Sequence, residues 1–172
     1  VLTALDFSPE EIAMVSGGLS EDRGFHHAKV LRYAPERNGP AIAAHKDIRL
    51  VTVLFTDQVG LHGIYHDQHV AIVPKDGYFF VNLGIFVEAL VNDPLRATAL
   101  IHYVPRLDKE RVASGTFNSG GRFNGRFSKE GFLQRRDGEM VKRPIKDLEA
   151  FLVKDNASHF TNPEHLIGNQ AQ

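Results

Sequence analysis

The chain has 172 residues, 42% hydrophobic and 24% charged, with 20 Lys+Arg against 21 Asp+Glu and a net charge of −1. That length suits one domain able to bury its own core without external staples, and the near-neutral charge argues against a general polyanion-coating protein. Zero cysteines exclude disulfides, thiolate metal sites, iron–sulfur clusters and a cysteine nucleophile.

The opening Val1-Leu2-Thr3-Ala4-Leu5-Asp6 lacks the basic stretch and long apolar segment of a signal peptide. No apolar run approaches the ~18 residues needed to cross a bilayer. The expectation is a soluble, cytoplasmic domain and, since it starts at Val rather than Met, a trimmed piece of a longer chain. Ser8-Pro9-Glu10-Glu11 reads as a helix start, with Ser8 capping, Pro9 at the first helical position and Glu11 closing a capping box. The helix is expected to run to about Val15 and stop at Gly17-Gly18.

Short β-rich runs follow, punctuated by Gly, Pro and Asp: Ala28–Tyr33, Ile42–His45, Leu50–Thr56, Gly60–Tyr65, His69–Val73, Tyr78–Leu83, Thr98–Val104 and Arg111–Phe117. The one long gap, Ile85–Asn92, holds about two helical turns, too little for repeated βαβ units. Eight such strands suit a mainly β fold, a double-stranded β-helix (jelly roll) with a few flanking helices.

Ser119–Lys146 differs, with eight Lys/Arg against three acids and five glycines, and reads as a basic loop. Helical spacing returns over Ile145–Leu152, and Asn162-Pro163-Glu164 resembles another helix start. The whole is expected to be one domain over 1–172, with a core at about 28–118 and a loop and helical extension over 119–172.

Nine histidines justify a search for metal ligands. In His45-Lys46-Asp47 an imidazole and a carboxylate stand two apart, and on an extended strand such residues face the same side. Alone, the pair reads sooner as a strand-end His beside a solvated Asp. His102, in the run Thr98–Val104, is a third candidate. Two His and one carboxylate with open positions form the facial triad of non-heme Fe(II) oxygenases. Arg111, nine residues on, offers a planar fork suited to a carboxylate; its alternatives are a salt bridge to an internal acid or an outward rim position.

The ordered set His45-x-Asp47, His102, Arg111 resembles the Fe(II)/2-oxoglutarate-dependent oxygenases of the isopenicillin N synthase-like branch, over roughly Ala28 to Asn118. Arg32-Tyr33 before Pro35, the stretch Ala44–Leu54, and Asp76–Gly84 with its Gly-x-x-x-Val-Asn-x-Gly pattern are similar to that family's strands. The resemblance implies that His45, Asp47 and His102 bind Fe(II), that Arg111 pairs with the distal carboxylate of 2-oxoglutarate, and that O2 is the oxidant. It implies release of succinate and CO2 and oxidation, by default hydroxylation, of a small polar or amino-acid-like substrate. Where the family commonly has a hydroxyl residue two after the Arg, this chain has Ala113, with Ser114 on the opposite face. Tyr33 is the candidate replacement, provided the strand register turns it inward. The family usually carries a longer helical N-terminal region.

Asn82 is read as lining the pocket or orienting the keto acid, or as a buried amide satisfying backbone groups. Phe80, Phe86 and Phe117 are read as a substrate wall or as core. His26, His27, His62, His66 and His69 have no partner at ligand spacing and read as surface or hydrogen-bonding residues. The basic stretch is a lid whose Arg122 and neighbours hold an acidic substrate, a solvated loop, or, least in keeping with the overall charge, a nucleic-acid contact through residues 121–127. Rival functions are an oxidase that needs no 2-oxoglutarate and anchors its substrate on Arg111, and a jelly-roll module that binds a metal or ligand without turnover.

Overall fold

The capping box forms as the sequence predicts. In the computed structural model, which describes residues 1–16, 25–35, 38–119 and 132–144, the Ser8 N–H donates to the Glu11 carboxylate at 2.8 Å and the Glu11 N–H to Ser8 Oγ at 3.2 Å. They open α1 (Pro9–Ser16). Phe7, just before the cap, packs in the same apolar cluster as Ile12, the staple that fixes the chain's entry into a helix.

Eight strands then make two four-stranded antiparallel sheets. They are β1 (Phe25–Tyr33), β2 (Ile42–His45), β3 (Val51–Thr56), β4 (His62–Tyr65), β5 (Gln68–Ala71), β6 (Phe80–Leu83), β7 (Ile101–Val104) and β8 (Arg111–Ser119). One sheet has the order β1-β8-β3-β6, the other β2-β7-β4-β5. The chain therefore changes layer at nearly every connection, and the fold is the jelly roll expected. Several strands begin two or three residues later than their apolar runs, β4 and β7 among them. Alternation along each strand decides what enters the space between the sheets: on β8 Arg111 and Ala113 are buried while Val112 is exposed.

Between β6 and β7 lies α2 (Ile85–Val91), most of whose side chains are buried. Phe86, Val87, Ala89, Leu90 and Val91 form a core with Phe7, Leu50 and Ala97. Gly84 lets this helix approach the chain after β2, for a Cβ there would lie 1.9 Å from the Arg49 carbonyl oxygen. The Gly84 N–H donates to Leu50 O at 2.9 Å, and the Ile85 N–H to Asp47 O at 2.9 Å. A second cluster of Tyr33, Leu61, Val104 and Ala113 lies between the sheets.

Part of the expected basic loop is instead a hairpin of β9 (Phe132–Arg136) and β10 (Glu139–Arg143). Asp137 and Gly138 both have positive φ, 50° and 85°, as a two-residue hairpin turn requires. Gln134 donates to Ala89 O at 3.1 Å and to Asn92 Oδ1 at 3.2 Å, docking the hairpin on α2. Arg135 donates to Leu5 O and Asp6 O at 2.8 and 3.1 Å and lies 3.9 Å from the Phe7 ring centroid. These residues tie the N-terminal segment down; they do not form a solvated loop. Arg122 and the helices expected over 145–152 and from Asn162 lie outside the described residues. No helix among the described residues is long and apolar enough to cross a membrane.

Candidate metal centre

His45 ends β2, and its neighbour across the ladder on β7 is His102. Their ring centroids are 4.5 Å apart. Asp47 has left the strand, yet its side chain turns to the same point and its residue is only 7% exposed. Asp47 Oδ1 lies 3.6 Å from His45 Nε2 and 3.8 Å from His102 Nε2. One donor atom from each of the three falls within 4.8 Å of the others.

Each imidazole is held from behind. His45 Nδ1–H donates to Ala43 O at 2.9 Å and His102 Nδ1–H to Leu100 O at 3.0 Å. That tautomer leaves the Nε2 lone pairs facing Asp47, and the carbonyls behind fix the ring orientation, as they do for metal-binding histidines. Asn82 Nδ2 donates to Asp47 Oδ2 at 3.0 Å, leaving Oδ1 open to the centre. Burial opposes ionisation of Asp47, but the adjacent His45 and His102 rings and the Thr52 and Asn82 contacts outweigh it and hold the carboxyl well below its usual range. Burial pushes His102 down, reinforced by the adjacent His45 ring, so it stays neutral. For His45 burial also acts downward, but bonding to Asp47 and Ala43 wins and raises it.

Once His45 gives up its proton, this donor set fits a divalent metal: two neutral nitrogens and one ionised oxygen, aimed inward. Donors about 2.1 Å from a common ion would stand about 3–4 Å apart, which the two imidazole–carboxylate separations satisfy.

The other end of the cavity holds Arg111, opposite Tyr33 in the β1–β8 register. Arg111 is 3% exposed, and its Nε donates to Gln58 O at 3.4 Å. Its guanidinium lies 5.1 Å from the Tyr33 ring centroid. Gly60 makes room for it, since a Cβ there would sit 2.7 Å from Arg111 Cδ. Among the described residues no carboxylate pairs with Arg111. Burial raises the Tyr33 pKa, with Arg111 opposing.

Between the two ends is a cavity of about 60 Å³, room for several waters. Leu31, Ile42, Leu54, Phe80, Val104 and Phe117 contribute its apolar wall. Tyr33 is turned inward, and Ala113 lines the cavity beside Thr56, its neighbour across the ladder. Asn82 stands behind Asp47 and is not part of the lining. Phe86, expected as a substrate contact, is 8% exposed in the core under α2, because the second position of that buried helix faces Phe7 and Leu50.

Sequence reading missed Thr56 and Thr52, two hydroxyls on the inward face of β3 that period-2 alternation from Leu54 would have flagged. It also missed the ion pair of Lys46 with Glu88, 42 residues apart, for which no local signal exists.

A family model described as the 2OG-Fe(II) oxygenase superfamily matches residues 25–120. The chain belongs to that superfamily. Its description names Fe(II) and 2-oxoglutarate, and the donor set of His45, Asp47 and His102 fits such an ion. Among curated superfamily relatives, protein DMR6-like oxygenase 2 of Arabidopsis thaliana is 30% identical over 123 residues, covering 68% of this chain and 35% of its own length. A 1-aminocyclopropane-1-carboxylate oxidase homolog from the same plant (homolog 10) is 29% identical over 132 residues, 74% of this chain and 32% of its own. The chain thus spans about a third of the length of these relatives. Among solved structures, JOX2 in complex with 2OG, Fe and JA superposes with a TM-score of 0.66 at 18% identity, covering 93% of this chain and 50% of that one. A full-length Neurospora crassa protein in complex with alpha-KG gives 0.54 at 18% identity, covering 83% and 55%. At such identities these two establish the superfamily's fold alone.

Proposed function

We propose that this chain is the catalytic core of an Fe(II)- and 2-oxoglutarate-dependent dioxygenase that oxidises, by default hydroxylates, a small organic molecule and releases succinate and CO2. The observation that carries the reading is the convergence of two tautomer-fixed imidazoles and an ionised carboxylate at one end of a cavity whose other end holds a buried arginine with no acidic partner among the described residues. His45, Asp47 and His102 would hold the iron, which when bound supplies the redox chemistry that protein side chains lack.

The chain's own residues position and exclude. Arg111 offers two parallel N–H donors to the distal carboxylate of 2-oxoglutarate, and Tyr33 stands beside it with a further hydroxyl. A buried guanidinium left unpaired carries a desolvation cost that a dicarboxylate relieves. The apolar wall keeps water from the reacting carbon.

The substrate reading follows the cavity. Its wall supports a molecule with an apolar body, and the Lys29 ammonium, 5.5 Å from the Phe117 ring centroid, supports an acidic group on it, in keeping with an amino-acid-like acid. JOX2 is solved with JA, and the Neurospora crassa protein with thymine, both small molecules. A cytoplasmic location and a single domain over 1–172 belong to the same proposal.

The test is succinate formation from 2-oxoglutarate with Fe(II) under air, with and without candidate acids. Succinate made by the intact chain and lost in His45→Ala is the expected result. Substrate oxidation without succinate would assign Arg111 to the substrate and replace the dioxygenase by an oxidase. Metal binding with no turnover of either kind would leave a binding module.

A further inference from the structure

The end of β3 and the turn after it, Thr56-Asp57-Gln58-Val59-Gly60, wrap the side chain of Arg111. Three of these residues take hold of the start of β8. The Asp57 carboxylate accepts the Val112 N–H at 3.3 Å, and Thr56 Oγ1 donates to Val112 O at 3.4 Å. Gln58 Nε2 donates to Glu110 O. With the turn so pinned, Gln58 O accepts Arg111 Nε at 3.4 Å and Thr56 Oγ1 at 3.1 Å. Gly60 closes the turn against the same side chain, where a Cβ would lie 3.0 Å from Arg111 Nε.

A long arginine side chain loses much rotamer freedom when it grips a ligand, so holding it in place beforehand raises affinity. An acceptor on Nε sets the rotation of the guanidinium plane and leaves the terminal nitrogens to meet a carboxylate. Glu110, the acid next to Arg111 in sequence, is paired with Arg32 on the exposed face and does not compete.

We infer that Gln58 is a positioning residue for the distal carboxylate of 2-oxoglutarate: its amide pins the turn whose carbonyl oxygen aims Arg111. The inference rests on reading Arg111 as the partner of that carboxylate. A residue that only stabilised the turn would affect all ligands of the cavity alike, whereas a positioning residue acts on those that carry the distal carboxylate. 2-Oxopentanoate separates the two roles, having the same keto-acid end and a methyl group where 2-oxoglutarate has its second carboxylate.

The experiment is calorimetric titration of each keto acid into the Mn(II)-loaded 172-residue chain, as wild type and as Gln58→Met, which keeps the side chain's length without its donor. Mn(II) affinity and the urea midpoint are measured alongside. Gln58→Met is expected to weaken 2-oxoglutarate about five- to tenfold, the worth of one hydrogen bond. Its affinities for 2-oxopentanoate and Mn(II) should stay within about twofold of wild type. Where 2-oxopentanoate binds too weakly to titrate, Mn(II) affinity serves as the control. Gly60→Ala presses on the same guanidinium from another side and should give the same selective loss, which decides the matter if Gln58→Met does not fold. Equal weakening of both keto acids, or an unchanged affinity for 2-oxoglutarate, overturns the inference. Wild type that binds 2-oxoglutarate no more tightly than 2-oxopentanoate overturns the reading of Arg111 itself, a distinct failure.

Discussion

His45 and His102 face each other directly across the β2–β7 ladder, rings 4.5 Å apart, although 57 residues separate them in the chain. Each is braced by the carbonyl two residues before it, so the pair is preorganised before any metal arrives. Replacing His102 by Ala should lower divalent-metal affinity by more than about a hundredfold, beyond the loss typical of an outer-shell change, and abolish succinate formation. Circular dichroism should be unchanged. Metal content after gel filtration checks this, and a His102→Ala protein that keeps its iron would remove His102 from the ligand set.

Proton competition follows from the same cluster. Asp47 stays ionised and His102 stays neutral, whereas His45 has its pKa raised by Asp47 and Ala43 against the effect of burial. A protonated imidazole cannot ligate, so metal affinity should be full above the raised pKa of His45. It should fall by about tenfold per pH unit as pH drops through that value, from a point above the ordinary ~6.5 of histidine. Mn(II) titrations across pH measure the slope; affinity that stays flat down to about pH 5.5 would contradict it.

Arg111→Ala should separate co-substrate from metal. Truncating one side of a buried charge pair costs about 2 kcal/mol or more, so KM for 2-oxoglutarate should rise at least about 30-fold while Co(II) affinity holds. Loss of metal with unchanged KM would assign Arg111 a scaffold role instead.

Gly84→Ala tests the fastening of α2 to the metal loop. Its Cβ would lie 1.9 Å from the Arg49 carbonyl oxygen and 2.9 Å from its nitrogen, backbone atoms with no side-chain torsion by which to yield. Overpacking of this kind should cost about 3 kcal/mol, read as a lowered urea midpoint. Unchanged stability would mean that this approach relaxes freely.

How much was legible depends on the range of the information. The capping box at Ser8 and Glu11 is local, and it formed as read. The inward aim of Tyr33 and Arg111 followed from alternation once strands were placed. Asp137-Gly138 was equally local, a two-residue turn between alternating runs, and glycine content and charge obscured it. Phe86 stayed open between substrate wall and core because an aromatic on a short helix carries no sign of which side the core lies on.

What the sequence determined by itself was chemistry: which side chains are able to ligate, cap, alternate or pair with a carboxylate, since these follow from residue type and near-neighbour spacing. Only the tertiary structure decided who meets whom. The β2–β7 register brought His102 to His45, the β1–β8 register set Tyr33 beside Arg111, and α2 delivered Glu88 to Lys46 and Ala99. Strand pairing and helix docking are chosen by burial of whole faces between two sheets, a long-range free energy that no short window of residues encodes.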